Sequence, residues 1–209
     1  LADAVTISAA SSPGEIRVAA SRDGVLVDFA IDRPWCAQVG DLFRGRVRLR
    51  APAMAGTFVA LGPGPDGFLP DSAGGAGVSE GDMLAVRVSR APQGGKGPRL
   101  AADPVPVPPG PLGRIARGAG AVQRLAAWYP QAAVVVDDAA LLAGLRATLG
   151  ARLRLMPRAF DDALEAEVDA LEHPIVAMTG GGVLHIEPTA ALVAIDVDLA
   201  AVAEAQAGK

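Results

Sequence analysis

The stretch that decides the fold reads FRGRVRLR at residues 43–50, TFVALG at 57–62, DGFLP at 66–70, EGDMLAVRVSR at 80–90 and GGKGPRLA at 94–101. Short apolar and β-branched runs recur here, each closed by Gly, Pro or Asp, which is the spacing of a small closed barrel of twisted strands. Residues 43–50 alternate strictly. A strand would put Arg44, Arg46, Arg48 and Arg50 on one face and Phe43, Val47 and Leu49 on the other. In 83–89, Leu84, Val86 and Val88 alternate with Arg87 and Ser89. The segment predicts a five-stranded OB barrel with one cationic face.

The chain of 209 residues carries a formal charge of −4, which by itself argues against a general nucleic-acid binder. Its distribution says otherwise. Between Arg44 and Arg99 there are eight basic residues and four acidic ones (Asp66, Asp71, Glu80 and Asp82), so positive charge gathers in the barrel and the remainder is acidic. With 51% hydrophobic residues, 25 Gly and 17 Pro, the composition is that of a globular protein with long turns rather than a disordered chain. The length suggests one or two domains. Cys36 is the only cysteine, which excludes an internal disulfide or a cysteine-built zinc site and makes a reducing cytoplasm the expected compartment. No apolar run reaches the ~18 residues of a membrane span, so no membrane partner is expected. The N-terminus lacks a signal-peptide pattern, and the missing initial Met and the polar stop at Lys209 fit a shortened chain.

Outward from the barrel, residues 1–13 show no period and lead into the turn cluster Ser11-Ser12-Pro13-Gly14. Apolar runs at 15–20 and 25–31 flank Arg22-Asp23-Gly24, a strong hairpin signal. On the other side, DPVPVPPGP at 103–111 reads as a stiff linker, because Pro fixes φ and removes donors. Helix is predicted in the second part of 113–128 and a buried strand over 132–136. A helix over 139–149 would turn Leu141, Leu142, Leu145 and Leu149 inward, with Asp138 as N-cap and Gly150 as stop. A strand over 151–156 and a helix over 161–171, with Leu164, Val168 and Leu171 inward, complete a β-α-β-α alternation that could extend the hairpin's sheet. Last come a turn at Gly180-Gly181-Gly182, a strand over 183–186, a turn at Glu187-Pro188-Thr189 and an apolar run at 191–198. Period-two alternation there places Leu192, Ala194, Asp196 and Asp198 on one face. A helix start is expected over 201–207.

TFVALG, DGFLP, EGDMLAVRV and GGKGPRL resemble the S-one-type OB domain of bacterial endoribonucleases of the ribonuclease E/G family, and GGGVLHIEPTAALVAIDVD at 180–198 resembles that family's nuclease segment, in family order. The resemblance implies an α/β (α+β) fold: a ribonuclease-H-like scaffold interrupted by a five-stranded OB barrel, with the first strands of a deoxyribonuclease-I-like subdomain. It divides the chain into a ribonuclease-H-like hairpin at 1–38, the RNA-binding barrel at 39–102, a Pro/Gly-rich linker at 103–118, the rest of the α/β layer at 119–175 and the start of the nuclease subdomain at 176–209. The implied function is Mg²⁺-dependent hydrolysis of single-stranded RNA in RNA processing and decay. The alternative is a single-stranded RNA-binding module without chemistry, and a homo-oligomer is compatible with either. Where full members carry a domain that senses the RNA's five-prime end, this chain has the Pro-rich linker.

Each candidate residue has a plainer reading beside the functional one. Phe58 and Phe68 would be core in most barrels, whereas exposed aromatics on OB strands stack bases; the resemblance puts Phe58, Phe68 and Lys96 on RNA-contacting positions. Arg44, Arg46, Arg48 and Arg50 form either a solvated face or a phosphate track. Asp196 and Asp198 are either a solvated pair or carboxylates for Mg²⁺, which takes one or two carboxylates and keeps several waters. By resemblance Asp196 matches a metal-binding aspartate of the catalytic site, Asp198 stands where the family has an asparagine, Thr189-Ala190 replaces Thr-Glu, and the family's second metal-binding aspartate lies further along. His173 and His185 read as structural. No Lys-Ser/Thr follows Gly180–Gly182, so this is not a phosphate loop.

Overall fold

The computed structural model describes residues 4–179, 181–189 and 192–199. They fall into two compact units, one built on residues up to 23 and 27–159, the other on 24–26 and residues from 160 onward. The fold is mixed α/β, mostly strands, with a closed five-stranded OB-like barrel.

In the first unit, β1 (Val5–Ser12) lies antiparallel to β2 (Glu15–Arg22), which turns into β3 (Val25–Asp32). Asp23 and Gly24 both take positive φ, as a hairpin turn matched to strand twist requires. The sequence reading missed β1. Its consecutive residues Ile7, Ser8, Ala9 and Ala10 are all buried, and a strand covered on both faces has no alternation to read.

The barrel follows: β4 (Leu42–Ala51), β5 (Gly56–Ala60), β6 (Gly67–Pro70), β7 (Met83–Arg90) and β8 (Arg99–Ala102). The strands run β5-β6-β8-β7-β4 around it, and a second pairing of β4 with β5 closes the ring. Phe43, Val59, Leu61, Leu69, Val86, Val88 and Leu100 fill the inside, each full burial contributing about 1.5–3 kcal/mol. The stretch predicted as a linker ends in a further strand, β9 (Gly113–Ala116), which joins the outer edge of β4. Asp41 fixes this return. Its buried carboxylate accepts from the N–H groups of Gln38 and Gly118, and Arg114 pairs with it at 3.1 Å.

The chain then builds α1 (Ala121–Trp128), β10 (Ala133–Val136), α2 (Ala139–Leu149) and β11 (Leu153–Leu155). β10 and β11 extend the hairpin's sheet in parallel with β1, giving the order β11-β10-β1-β2-β3. The predicted cap of α2 is present: Asp138 Oδ1 accepts from the Leu141 N–H at 2.6 Å, and Gly150 ends the helix. Ile7, Val18, Val122, Leu125, Val134 and Leu145 pack together as this layer's core.

In the second unit, α3 (Asp162–Ala170) is capped by Asp161 and buries Leu164 and Val168. Leu171, predicted to point inward, is 57% exposed because the helix ends one residue before it. A three-stranded antiparallel sheet follows, of β12 (Ile175–Ala177), which the sequence did not announce, β13 (Val183–Pro188) and β14 (Val193–Asp198). Glu187 and Pro188 complete β13 instead of turning; the turn comes at Thr189, whose Oγ1 accepts from the Leu192 N–H. Gly180, Ala190 and the expected helix from 201 lie outside the described residues. Among the described residues no helix is long and apolar enough to cross a membrane.

Candidate nucleic-acid interface

The outer face of the barrel is shaped by an irregularity in β4. Val47 pairs with Val59 but the next pair is Leu49 with Phe58, so Arg48 is an extra residue, a β-bulge. Beyond it the two faces exchange, and the expected four-arginine face does not form. Leu49 turns outward and is 53% exposed. Arg50 turns to the barrel side, where its Nη1 donates to the buried Thr57 Oγ1 at 2.7 Å and to Asp71 Oδ1 at 3.0 Å. Arg44 is also withdrawn from the surface. It is 6% exposed, and its Nη1 donates to the Pro111 carbonyl at 2.7 Å where the returning chain crosses it. Only Arg46 and Arg48 of the run stay outside, and Arg48 pairs with Asp66 at 3.1 Å.

The faces exchanged by the bulge line up across the strands. Leu49 stands opposite Phe58, Phe58 opposite Phe68, and Phe68 beside Arg99, which in turn pairs with Arg90. Residues directly opposed in a ladder share a face, so these side chains make one row. The rings of Phe58 and Phe68 meet edge to face, their centroids 5.4 Å apart at 61°. Neither belongs to the barrel core, and both are half-buried. The backbone beneath them is bare by necessity: a Cβ on Gly56 would collide with the Phe68 ring. Lys96 sits at the tip of the β7–β8 hairpin, in a bridge with Gln93. The Phe68 N–H donates to the Pro98 carbonyl at 2.8 Å, which draws this tip alongside β6. Among the described residues no carboxylate pairs with Arg46, Arg90, Lys96 or Arg99, all exposed. The arrangement offers apolar surface for bases and unneutralised cations for phosphates.

The acidic candidates lie on the second unit's sheet. Asp196 pairs with His185, Asp198 with Val183 and Ala194 with Glu187. His185, Glu187, Ala194 and Asp196 line a shallow depression of about 240 Å³. Asp196 Oδ1 accepts from the Val197 N–H at 3.0 Å. Mg²⁺ requires a nearly octahedral set of oxygens, and among the described residues no three His, Cys, Asp or Glu side chains converge as a metal group. Asp196 and its neighbours therefore do not by themselves fit the ion.

A cleft of about 760 Å³ in the first unit is lined by Ile16, Leu141, Leu145, Asp32 and Asp41 among others. Both carboxylates have structural work. Asp32 Oδ2 accepts from the Ala121 N–H at the start of α1 and its Oδ1 faces Arg124 at 3.6 Å, while Asp41 anchors the barrel.

The chain matches no known protein-family model and no curated protein sequence. The site therefore rests on its own geometry. Sequence reasoning missed Leu49, Arg90 and Arg99. The alternation of 43–50 pointed Leu49 the wrong way, because nothing local marks a bulge, and Arg99 meets Phe68 only through a pairing between strands some thirty residues apart.

Proposed function

We propose that this chain binds single-stranded RNA on the outer face of its barrel and is built on the plan of the ribonuclease E/G family. The observation that carries the reading is the half-buried Phe58–Phe68 pair on the outer face of the barrel, flanked by cations that no carboxylate neutralises among the described residues. Flat rings stack bases of any sequence, and free cations hold the phosphates between them. The family plan draws further support from the β11-β10-β1-β2-β3 order with the barrel inserted after β3, which fits a ribonuclease-H-like layer. β12 to β14 are then the opening strands of a deoxyribonuclease-I-like subdomain. On this reading the RNA-bound protein works in the cytoplasm, and Mg²⁺ would be held by Asp196 only together with ligands beyond the described residues. We assign no hydrolytic step to this site. Binding is the function that the geometry favours over cleavage.

The test is a fluorescence-anisotropy titration of a labelled single-stranded oligoribonucleotide. Phe58→Ala with Lys96→Ala should weaken binding at least tenfold, since each stacked aromatic contributes ~1–3 kcal/mol. Equal affinity of the wild type and the double variant would remove the assignment.

A further inference from the structure

We infer that Leu49 is a third base-holding side chain of the barrel, so that the face takes three successive unpaired nucleotides rather than the two that Phe58 and Phe68 define. The inference rests on the single-stranded RNA reading of this face. Leu49 is a large apolar side chain more than half exposed on a strand whose other outward residues are arginines. It is outside because of the bulge at Arg48, without which the alternation would bury it with Phe43 and Val47. Bulges re-aim side chains next to functional surfaces, and this one delivers Leu49 directly opposite Phe58.

Neighbouring strands lie ~4.8 Å apart, so Leu49, Phe58 and Phe68 form three steps spanning roughly 10 Å, continued by Arg99 on β8. An aliphatic side chain beside an aromatic one packs against the flat face of a base without reading its edge. The third step therefore adds affinity and leaves sequence preference unchanged. Arg46, on the same strand before the bulge and exposed, and Arg99 at the far end stand where the phosphates on either side of a three-base run would pass.

The experiment measures dissociation constants of fluorescent oligouridylates of two to six nucleotides for the wild type, Leu49→Ala, Leu49→Gln and Leu49→Phe. Because Leu49 lies outside the core, each variant should keep a melting temperature close to the wild type's. On the hexamer, Leu49→Ala and Leu49→Gln should weaken binding by about threefold to tenfold, Leu49→Phe should tighten it, and the dinucleotide should bind all four proteins alike; a leucine is expected to hold a base less tightly than a stacked aromatic does. Unchanged hexamer affinity in both Leu49→Ala and Leu49→Gln, or an equal loss on dinucleotide and hexamer, would overturn the third step while leaving the RNA reading intact. A wild type that binds none of the oligomers would overturn both.

Discussion

The barrel face and the β12–β14 sheet both show apolar side chains to solvent, but they do so against different backgrounds. Behind Phe58 and Phe68 stands a filled interior in which Val59, Leu69, Val86 and Leu100 are completely buried. In the sheet every described position of β14 is exposed, Val193, Ile195 and Val197 on one face and Asp196 and Asp198 on the other. One region is an outer surface supported by its own core; the other is a sheet with no layer packed on β14 among the described residues. An exposed apolar residue therefore means different things in the two places. On the barrel it is a surface feature retained against the hydrophobic effect. On β14 it is a strand whose burial the described residues do not supply.

Truncating each region should separate them most sharply. Leu69→Ala opens a cavity in the barrel and should cost about 2–5 kcal/mol, whereas Ile195→Ala, already in water, should stay within about 0.5 kcal/mol. Denaturant midpoints of the two variants check this. Comparable losses would mean that β14 is covered in solution.

Within the barrel, the arginines of β4 sharpen the same contrast between supported interior and working surface. Arg46→Ala should weaken RNA binding at every sequence and lower the salt slope by about one phosphate contact, with the fold unaffected. Arg44→Ala should do the reverse: it removes a charged hydrogen bond to Pro111, costing about 1–3 kcal/mol of stability, and leaves the salt slope unchanged. Affinities measured across a range of salt concentrations, beside thermal melts, distinguish the two roles.

Much of this fold is legible in the sequence, and what is not has physical causes. The Asp138 cap, the Gly150 stop and the Asp23-Gly24 turn are local devices, so a short window of sequence contains everything that determines them. The barrel strands announced themselves because each is half-buried and closed by a turn. β1 did not, being covered on both sides. Arg44 looked like a surface cation because its partner, the Pro111 carbonyl, lies 67 residues away. The row Leu49–Phe58–Phe68–Arg99 was half visible: its aromatics follow from motif residues, while its two ends depend on a bulge and on a long-range strand pairing.

A smaller effect is expected at the barrel's exit. The Val105 N–H, and after it the Arg87 guanidinium, hold the Asp103 carboxyl below its ordinary pKa. A depressed carboxylate stabilises the fold above its unfolded pKa of ~3.9 and loses that contribution as pH falls through the lowered folded value. Asp103→Asn should therefore lower the melting temperature slightly at pH 7, and the difference from wild type should close in strong acid. A difference that widened on acidification would contradict the sign. The five-prime end of the RNA should matter less still. Arg114 donates to Pro34 and pairs with Asp41, and Arg117 donates to Pro34, so neither is free to form the convergent cluster that a terminal phosphate needs. Monophosphate, triphosphate and hydroxyl ends on one RNA should bind within about twofold of each other, well under the tenfold that 1.4 kcal/mol represents.

The smallest expected effect belongs to Asp196. If the depression beside it were a complete metal site, replacing the carboxylate by an amide would abolish any Mg²⁺-dependent cleavage. The described residues argue for the opposite outcome. One oxygen of Asp196 already accepts a backbone N–H, the residue opposite is a histidine, and no third ligand converges. Mg²⁺ gives up water reluctantly and binds weakly where carboxylates reach it from one side only. Placement errors of ~1 Å can lower a rate on the order of 10²-fold. The purified chain, incubated with labelled single-stranded RNA and Mg²⁺, should therefore show no cleavage above background, and Asp196→Asn should match it. The barrel should bind the same RNA in the same tubes. Robust cleavage by the wild type that vanished in Asp196→Asn would mean that the missing ligands come from outside the described residues, and it would make the second region, not the barrel, the centre of this protein's chemistry.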